Sequence, residues 1–202
     1  KTDNALTQFN KIPENRLTLL NSLLINQKSP LTQNIDGVTL IDIYETLSQV
    51  PETRLDELIK LTENIHKEGQ TSALKVFVKI PENELSEFAK ITIPFIKEIK
   101  YHHIETVLTT LSKIPKDQLS DFINQINPII KKSEDVNKPY IVKILSEATK
   151  DKRSILIKLI EYELSQSKRI DKNELYHLIH KEQISAAKVL THLSLENARF
   201  ET

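Results

Sequence analysis

Residues 80–85 read Ile-Pro-Glu-Asn-Glu-Leu, and the same phrase recurs in related forms along the chain. Residues 12–17 read Ile-Pro-Glu-Asn-Arg-Leu, residues 50–55 read Val-Pro-Glu-Thr-Arg-Leu, and residues 114–119 read Ile-Pro-Lys-Asp-Gln-Leu. Proline suits the first turn of a helix because its missing N–H has no intrahelical partner there, and the residue before proline disfavours the α conformation. Each copy is therefore predicted to end one helix and begin the next, as in an αα-hairpin.

A common apolar frame surrounds these four prolines. Counted from each proline, apolar residues stand at positions −7, −4, −1, +4 and +7. Spacings of three and four give each helix one apolar stripe. The frame residues are Leu6, Phe9, Ile12, Leu17 and Leu20; Tyr44, Leu47, Val50, Leu55 and Leu58; Leu74, Phe77, Ile80, Leu85 and Phe88; and Leu108, Leu111, Ile114, Leu119 and Phe122. A fixed pattern that recurs at a near-constant period predicts stacked structural repeats.

Two weaker copies follow, with Thr149 and Ser194 in place of the proline. The fifth copy keeps most of the frame but has Arg153 at position +4, where an apolar residue is expected. The frame residues of these copies are Val142, Leu145, Ala148 and Leu156, then Ala187, Leu190 and Leu193. The six anchors are thus Pro13, Pro51, Pro81, Pro115, Thr149 and Ser194. The central spacing matches one helical hairpin per repeat.

The repeats resemble the HEAT and tetratricopeptide style of α-solenoid. This resemblance implies an all-α fold, a right-handed stack of about six helical hairpins, and a single repeat domain over residues 1–202, with a compact C-terminal end as an alternative. It implies architecture only, because no specific family is identified. The small and glycine positions of the tetratricopeptide motif are missing from this sequence.

The segments between the repeats carry their own signals. Residues 27–39 contain turn residues and are predicted to be the longest irregular segment. Gly69 is expected to end the second unit, with Thr71 or Ser72 capping the next helix.

Three further prolines also predict helix boundaries. Pro94 and Pro128 both stand 13 residues after their anchors, where they should break or kink a helix. Residues 133–138 form a mostly polar link, and Pro139 should open the helix that follows.

Composition excludes several classes of protein. Lys plus Arg and Asp plus Glu both number 28, so overall charge favours neither nucleic acid nor acidic membranes. There is no cysteine, which excludes disulfides and is compatible with a reducing compartment such as the cytoplasm; the location stays unknown. The longest uncharged stretch, residues 17–27, is too short to span a bilayer, so no membrane insertion is expected. The chain begins at Lys1 without any methionine, which indicates an excerpt of a longer protein.

Histidines supply the candidate metal ligands. Asp171 and Glu174 resemble a capping box that should start a helix through His180. Glu174, His177 and His180 stand at intervals of three on that helix, so they spread around it rather than converge on one ion. Two partly exposed histidines beside apolar neighbours are the simpler interpretation. The adjacent residues His102 and His103 should likewise serve packing at a joint between units.

The densest basic group is interrupted by acidic residues. It comprises Lys131, Lys132, Lys150, Lys152 and Arg153. Asp135, Glu147 and Asp151 interleave, and aromatic residues are few, whereas a nucleic-acid groove needs repeated cations and stacking rings. A solvated charged surface is therefore the favoured interpretation.

These observations favour a non-enzymatic scaffold that binds a protein or peptide through an extended helical surface. No catalytic, cofactor-binding or metal residues are assigned, no cofactor is expected, and the oligomeric state is unknown. Lysine outnumbers arginine 23 to 5, which is typical of AT-rich genomes and suggests a microbial, effector-like protein that engages host or partner proteins. The alternatives are an RNA-binding helical repeat protein or a structural spacer. Residues 184–190 could insert into a partner's groove, but a core helix of the sixth repeat is the simpler interpretation.

Overall fold

A computed structural model describes residues 10–33 and 35–165 of the chain. In this described part the protein is all-α, with nine α-helices and no strand. We number them α1 (Glu14–Asn21), α2 (Gly37–Ser48), α3 (Glu52–Glu63), α4 (Lys67–Phe77), α5 (Glu82–Ile96), α6 (Ile104–Leu111), α7 (Lys116–Lys132), α8 (Lys138–Glu147) and α9 (Lys150–Ser165). The all-α prediction is confirmed.

Helices α1, α3, α5 and α7 each begin at the residue after an anchor proline. Pro13, Pro51 and Pro81 share a φ of −53° to −56° and a ψ of 141° to 142°, which is extended rather than helical. Their carbonyls accept the first N–H bonds of the helix. The prolines are therefore N-cap residues, one position outside the first turn that the sequence suggested. Helix α9 begins directly after Thr149, so the fifth anchor acts at the same point.

The turn before the proline is the same in three units. The residue at −1 donates its N–H to the carbonyl at −4: Val50 to Leu47, Ile80 to Phe77 and Ile114 to Leu111, at 3.1, 3.2 and 3.1 Å. This bond closes the end of the preceding helix. The predicted end of one helix and start of the next is confirmed at each of these prolines.

The apolar frame forms the core of the described part. Of its described members, only Leu17 and Ile114 are half-buried, and all the others are buried. Phe77 and Phe88 meet across the third hairpin edge to face, with ring centroids 6.2 Å apart. Such aromatic pairs add about 0.5–1.5 kcal/mol to the burial of their area.

The chain divides into two compact units, Lys1–Asp117 and Gln118–Thr202. In the first unit, α2, α4 and α6 pack in succession, α3 packs against α5, and α1, α3 and α5 each pack against the first helix of the following hairpin. In the second unit, α8 packs against α9. Successive hairpins are thus stacked within the first unit. The single-domain organisation and the right-handed stack remain predictions, and the sixth anchor, Ser194, lies outside the described residues.

Gly69 does not end the second unit, contrary to the sequence prediction. It lies inside α4, which begins at Lys67 after His66 without a side-chain cap, so Thr71 and Ser72 are not caps. A Cβ atom at Gly69 would stand 2.3 Å from the Cδ1 atom of Ile104. Glycine therefore serves here for the close approach of α4 and α6.

Pro94 and Pro128 do not break their helices. Both lie inside continuous helices, α5 and α7. Each proline removes the N–H that would bond the carbonyl four residues earlier, on Lys90 or Asn124. The prolines and both of these residues are exposed, so water can bind the released carbonyls.

The irregular segment before α2 is shorter than predicted. Residues Pro30–Thr32 form a 3-10 turn, and α2 already begins at Gly37. The Asp36 carboxylate caps α2 by accepting the Thr39 N–H at 2.9 Å, and this bond lowers the pKa of Asp36. By contrast, the prediction for Pro139 is confirmed, because it lies in the first turn of α8.

Candidate functional site

A cleft of about 450 Å³ lies on the surface formed by α2, α4 and α6 in the first compact unit. These are the first helices of three successive hairpins, so we call it the helix-A cleft. Its lining combines charged, polar and small apolar side chains. The lining residues are Asp42, Glu45, Thr46, Gln49, Val50, Pro51, Lys75, Val78, Lys79 and Glu105.

Helix periodicity explains why these residues share one surface. Asp42, Glu45, Thr46 and Gln49 follow the spacing i, i+3, i+4 and i+7, which places them on one stripe of α2. Lys75, Val78 and Lys79 likewise stand at i, i+3 and i+4 around the end of α4, where Val78 is the C-cap residue. The buried frame residues of each helix occupy the neighbouring stripe. The same repeat that builds the core therefore aligns polar side chains from successive hairpins.

One ion pair crosses the cleft between two hairpins. The Nζ atom of Lys75 lies 2.9 Å from an Asp42 carboxylate oxygen, with side-chain exposures of 36% and 40%. Exposed pairs of this kind contribute about 0.2–1 kcal/mol. Within the described residues, Glu45, Lys79 and Glu105 form no ion pair. The cleft thus holds three carboxylates and two ammonium groups.

Two arginines bind backbone carbonyls where neighbouring hairpins meet beside the cleft. The Nη2 atom of Arg16 donates to the carbonyls of Leu47, at 2.9 Å, and Val50. The Nη2 atom of Arg54 donates to the Ile80 carbonyl at 2.7 Å. Each arginine stands three residues after its own anchor proline and reaches the end of the first helix in the next hairpin. Both therefore position residues that line the cleft or adjoin it.

These arginine contacts lie partly or fully inside the protein rather than on its surface. Arg54 is only 9% exposed. A cation at a helix C-terminus is favoured by the helix dipole, and hydrogen bonds from charged groups contribute about 1.5–3 kcal/mol. The Nε atoms of Arg16 and Arg54 are buried without a hydrogen-bond partner, so each guanidinium uses only part of its donor set. The Nη2 bonds therefore add to the helix packing that joins the hairpins.

Arg153 uses the same chemistry within the second compact unit. Its Nε and Nη2 atoms donate to the carbonyls of Leu145 and Ala148, at 3.0 and 3.2 Å. Its guanidinium carbon lies 4.7 Å from the centroid of the Phe122 ring. Burial lowers its pKa. The apparent break in the apolar frame at +4 is therefore a helix cap that also covers an aromatic ring.

All three arginines of the described part thus bind carbonyls at the end of a first helix. The sequence analysis missed this role. The available signal was the scarcity of arginine in a lysine-rich chain, together with its recurrence at position +3 of the first two hairpins. Lysine presents a single ammonium, whereas the planar guanidinium can bond two carbonyls at once. The other members of the proposed basic group are exposed: Lys131, Lys132, Lys150 and Lys152.

The joint between the third and fourth hairpins is different. Glu84 occupies the position of Arg16 and Arg54, and a carboxylate cannot donate to a carbonyl. Lys116, where the first three hairpins have glutamate, lies 2.5 Å from a Glu87 oxygen. The hydrogen bond from Lys116 to Glu87 and the charges of Glu87 and Glu84 raise the pKa of Lys116.

The histidine candidates contribute no metal site in the described part. His102 and His103 lie on a 3-10 turn, Tyr101–His103, that packs against α4, and their ring centroids are 4.0 Å apart. No group of three or more potential metal ligands is found among the described residues. Glu174, His177 and His180 lie outside those residues, as does the 184–190 segment.

No helix within the described ranges is long and apolar enough to cross a membrane. Comparisons with protein-family models, curated proteins and solved structures find no match to this chain. The proposed function therefore rests on the residues and their geometry.

Proposed function

We propose that this protein is a non-enzymatic scaffold that binds a segment of a partner protein in the helix-A cleft. The observation that supports this proposal is the cleft itself, which gathers side chains from three successive hairpins on one surface. Stacked helical repeats commonly present such surfaces to protein ligands.

The lining supplies groups that suit a bound segment. Val50, Pro51 and Val78 offer apolar contacts, and Thr46 and Gln49 offer hydrogen-bonding groups that suit a peptide backbone. The cleft volume suits a few side chains of a bound segment.

The arginine contacts support the same proposal. Arg16 and Arg54 tie the ends of α2 and α4 to the preceding hairpins, so the lining is held in place before a partner binds. A preformed site loses less conformational freedom on association than one that must be ordered.

Blocking the cleft tests the proposal. Gln49 is exposed, lies in the cleft and caps the end of α2, so Gln49→Arg should obstruct binding without burying a charge. Gln27→Arg is the matched control, because Gln27 is also exposed and caps the π-helical turn Ser22–Asn26, but it does not line the cleft. Partners captured by the wild-type chain would be quantified by mass spectrometry after capture on each variant.

The proposal expects at least one partner that Gln27→Arg retains and Gln49→Arg loses by roughly tenfold, the effect of about 1.4 kcal/mol of lost binding energy. Equal retention by both variants would contradict binding in this cleft. Circular dichroism of both variants would establish that each keeps the helical fold.

A further inference from the structure

The charges of the helix-A cleft define the chemistry of the segment that would fill it. Asp42 and Lys75 neutralise each other across the cleft at 2.9 Å. Glu45, Lys79 and Glu105 remain, and they sum to a net charge of −1. An occupant with a cationic side chain would complement this excess of carboxylate.

The two remaining carboxylates flank the cleft. Glu45 is on α2 and Glu105 is in the first turn of α6, and α4 packs against both of these helices. Glu45 is half-buried, so its carboxylate is less screened by water than that of a fully exposed residue. Lys79 is the opposing charge, and it is exposed and without an ion pair among the described residues.

Apolar residues beside these charges suit the stem of a long basic side chain. Val50, Pro51 and Val78 line the same cleft as Glu45. Lysine and arginine place their methylene groups on apolar surface while the charged head reaches a polar partner.

We propose that the helix-A cleft binds a partner segment through a lysine or arginine side chain, whose charge is received by Glu45 and Glu105 and whose stem packs on Val50, Pro51 and Val78. This inference rests on the proposed function and adds the chemistry of the ligand. Its partner class is a protein segment with a basic residue.

A peptide titration tests the inference directly. The probe is the capped pentapeptide Gly-Ala-Arg-Ala-Gly, added to the full ¹⁵N-labelled chain and followed by amide chemical shifts. A second peptide replaces the arginine with citrulline, which keeps the shape but removes the charge. A third peptide replaces it with glutamate.

The expected result is that the arginine peptide shifts the amides of Glu45, Gln49 and Glu105 and that the citrulline peptide binds roughly fivefold more weakly, as for the loss of one partly exposed ion pair. Glu45→Gln and Glu105→Gln should each weaken the arginine peptide by about threefold. The control is Asp56→Asn, which removes an exposed carboxylate of α3 outside the cleft and should leave affinity unchanged.

Two results would overturn the inference while leaving cleft binding intact. Equal affinities for the arginine and citrulline peptides would show that charge does not select the ligand. Tighter binding of the glutamate peptide would assign selection to Lys79 and Lys75. If none of the peptides shifts cleft amides at millimolar concentration, the inference also fails, and the Gln49→Arg comparison decides separately whether the cleft binds a partner.

Discussion

The second and third hairpins are joined differently from the third and fourth. At the first of these joints, Arg54 is buried and donates to the Ile80 carbonyl at the end of α4. At the other, Glu84 takes the equivalent position, and Lys116 forms an ion pair with Glu87 in which both side chains are about half exposed. The repeat position that supplies the buried arginine at one joint therefore makes no such contact at the other, where an exposed ion pair from two different positions is found.

Burial decides how much a contact at such a joint contributes to the stability of the fold. A guanidinium bonded to a carbonyl inside the protein is shielded from salt and leaves a costly unpaired group when it is removed. An exposed ammonium group and carboxylate are hydrated both when paired and when apart, and ions screen the attraction between them. We therefore expect removal of Arg54 to cost far more stability than removal of Lys116.

The largest expected effect comes from Arg54→Ala. Loss of the Nη2 bond leaves the Ile80 carbonyl without this donor and removes buried side-chain packing, so the free energy of unfolding should fall by about 3 kcal/mol. Urea denaturation followed by circular dichroism measures the change. Lys60→Ala, at an exposed position of the same helix, should cost less than about 0.5 kcal/mol. A loss for Arg54→Ala as small as that for Lys60→Ala would contradict the account.

Substitution of Gly69 tests whether close packing of α4 and α6 stabilises the joint between the third and fourth hairpins, which lacks an arginine. Gly69→Val places atoms where Ile104 packs on α4, and overpacking of this kind costs about 2 kcal/mol. The matched control is Gly37→Val, because no atom lies within 4 Å of a Cβ built at Gly37. Thermal unfolding of both variants should show a large loss only for Gly69→Val. Truncation by Ile104→Val should reduce that loss, and a similar loss at both glycines would argue against close helix packing.

Exchanging two charges should make the two joints alike. The double variant Glu84→Arg with Lys116→Glu places arginine at +3 of the third hairpin and glutamate at +1 of the fourth, the residue types found at those positions in the first two hairpins. The new arginine should bond the Ile114 carbonyl, a gain of about 1 kcal/mol for the Glu84→Arg change. Denaturation of the double variant and both single variants measures the coupling. If Glu84→Arg raises stability neither alone nor together with Lys116→Glu, position +3 does not carry the contact.

The smallest expected effect is that of Lys116→Gln. The wild-type chain should lose slightly more stability than this variant when salt is raised from about 0.05 M to 0.5 M, because only the wild-type pair is screened. The folded-state pKa of Lys116 is raised, so its contribution is present below the unfolded pKa and disappears as the pH rises through the folded pKa. If the stability difference between the two chains did not change with salt, the ion pair would be shielded from solvent ions, contrary to this prediction.

Much of the fold followed from local rules in the sequence. The anchor prolines and the apolar frame predicted the helix boundaries and the buried residues, because proline chemistry and helix periodicity act over a few residues. Helices α5 and α7 continue through Pro94 and Pro128, because the carbonyls that lose an N–H partner there belong to exposed residues. Gly69 was misplaced because its role depends on Ile104, which is distant in sequence.

The site was less accessible to sequence reasoning. Asp42 and Lys75 are 33 residues apart, and only the stacking of α2 and α4 brings their charges together. Arg16 and Arg54 recur at one repeat position, which was a visible signal, but their carbonyl partners are 31, 34 and 26 residues away. A backbone acceptor leaves no trace in the sequence. The scaffold function and the basic ligand accordingly remain proposals.

Arg16 and Arg54 tie successive hairpins together through backbone carbonyls. The most direct measurement is the rotation of the guanidinium groups, observed by ¹⁵N NMR of the arginine side chains. The chain has only five arginines, and Arg54→Lys would assign one of them. The account predicts that rotation of the Arg54 guanidinium is slowed relative to an exposed arginine, because its Nη2 atom is bonded to the Ile80 carbonyl. Rotation as fast as that of a solvated guanidinium would contradict it.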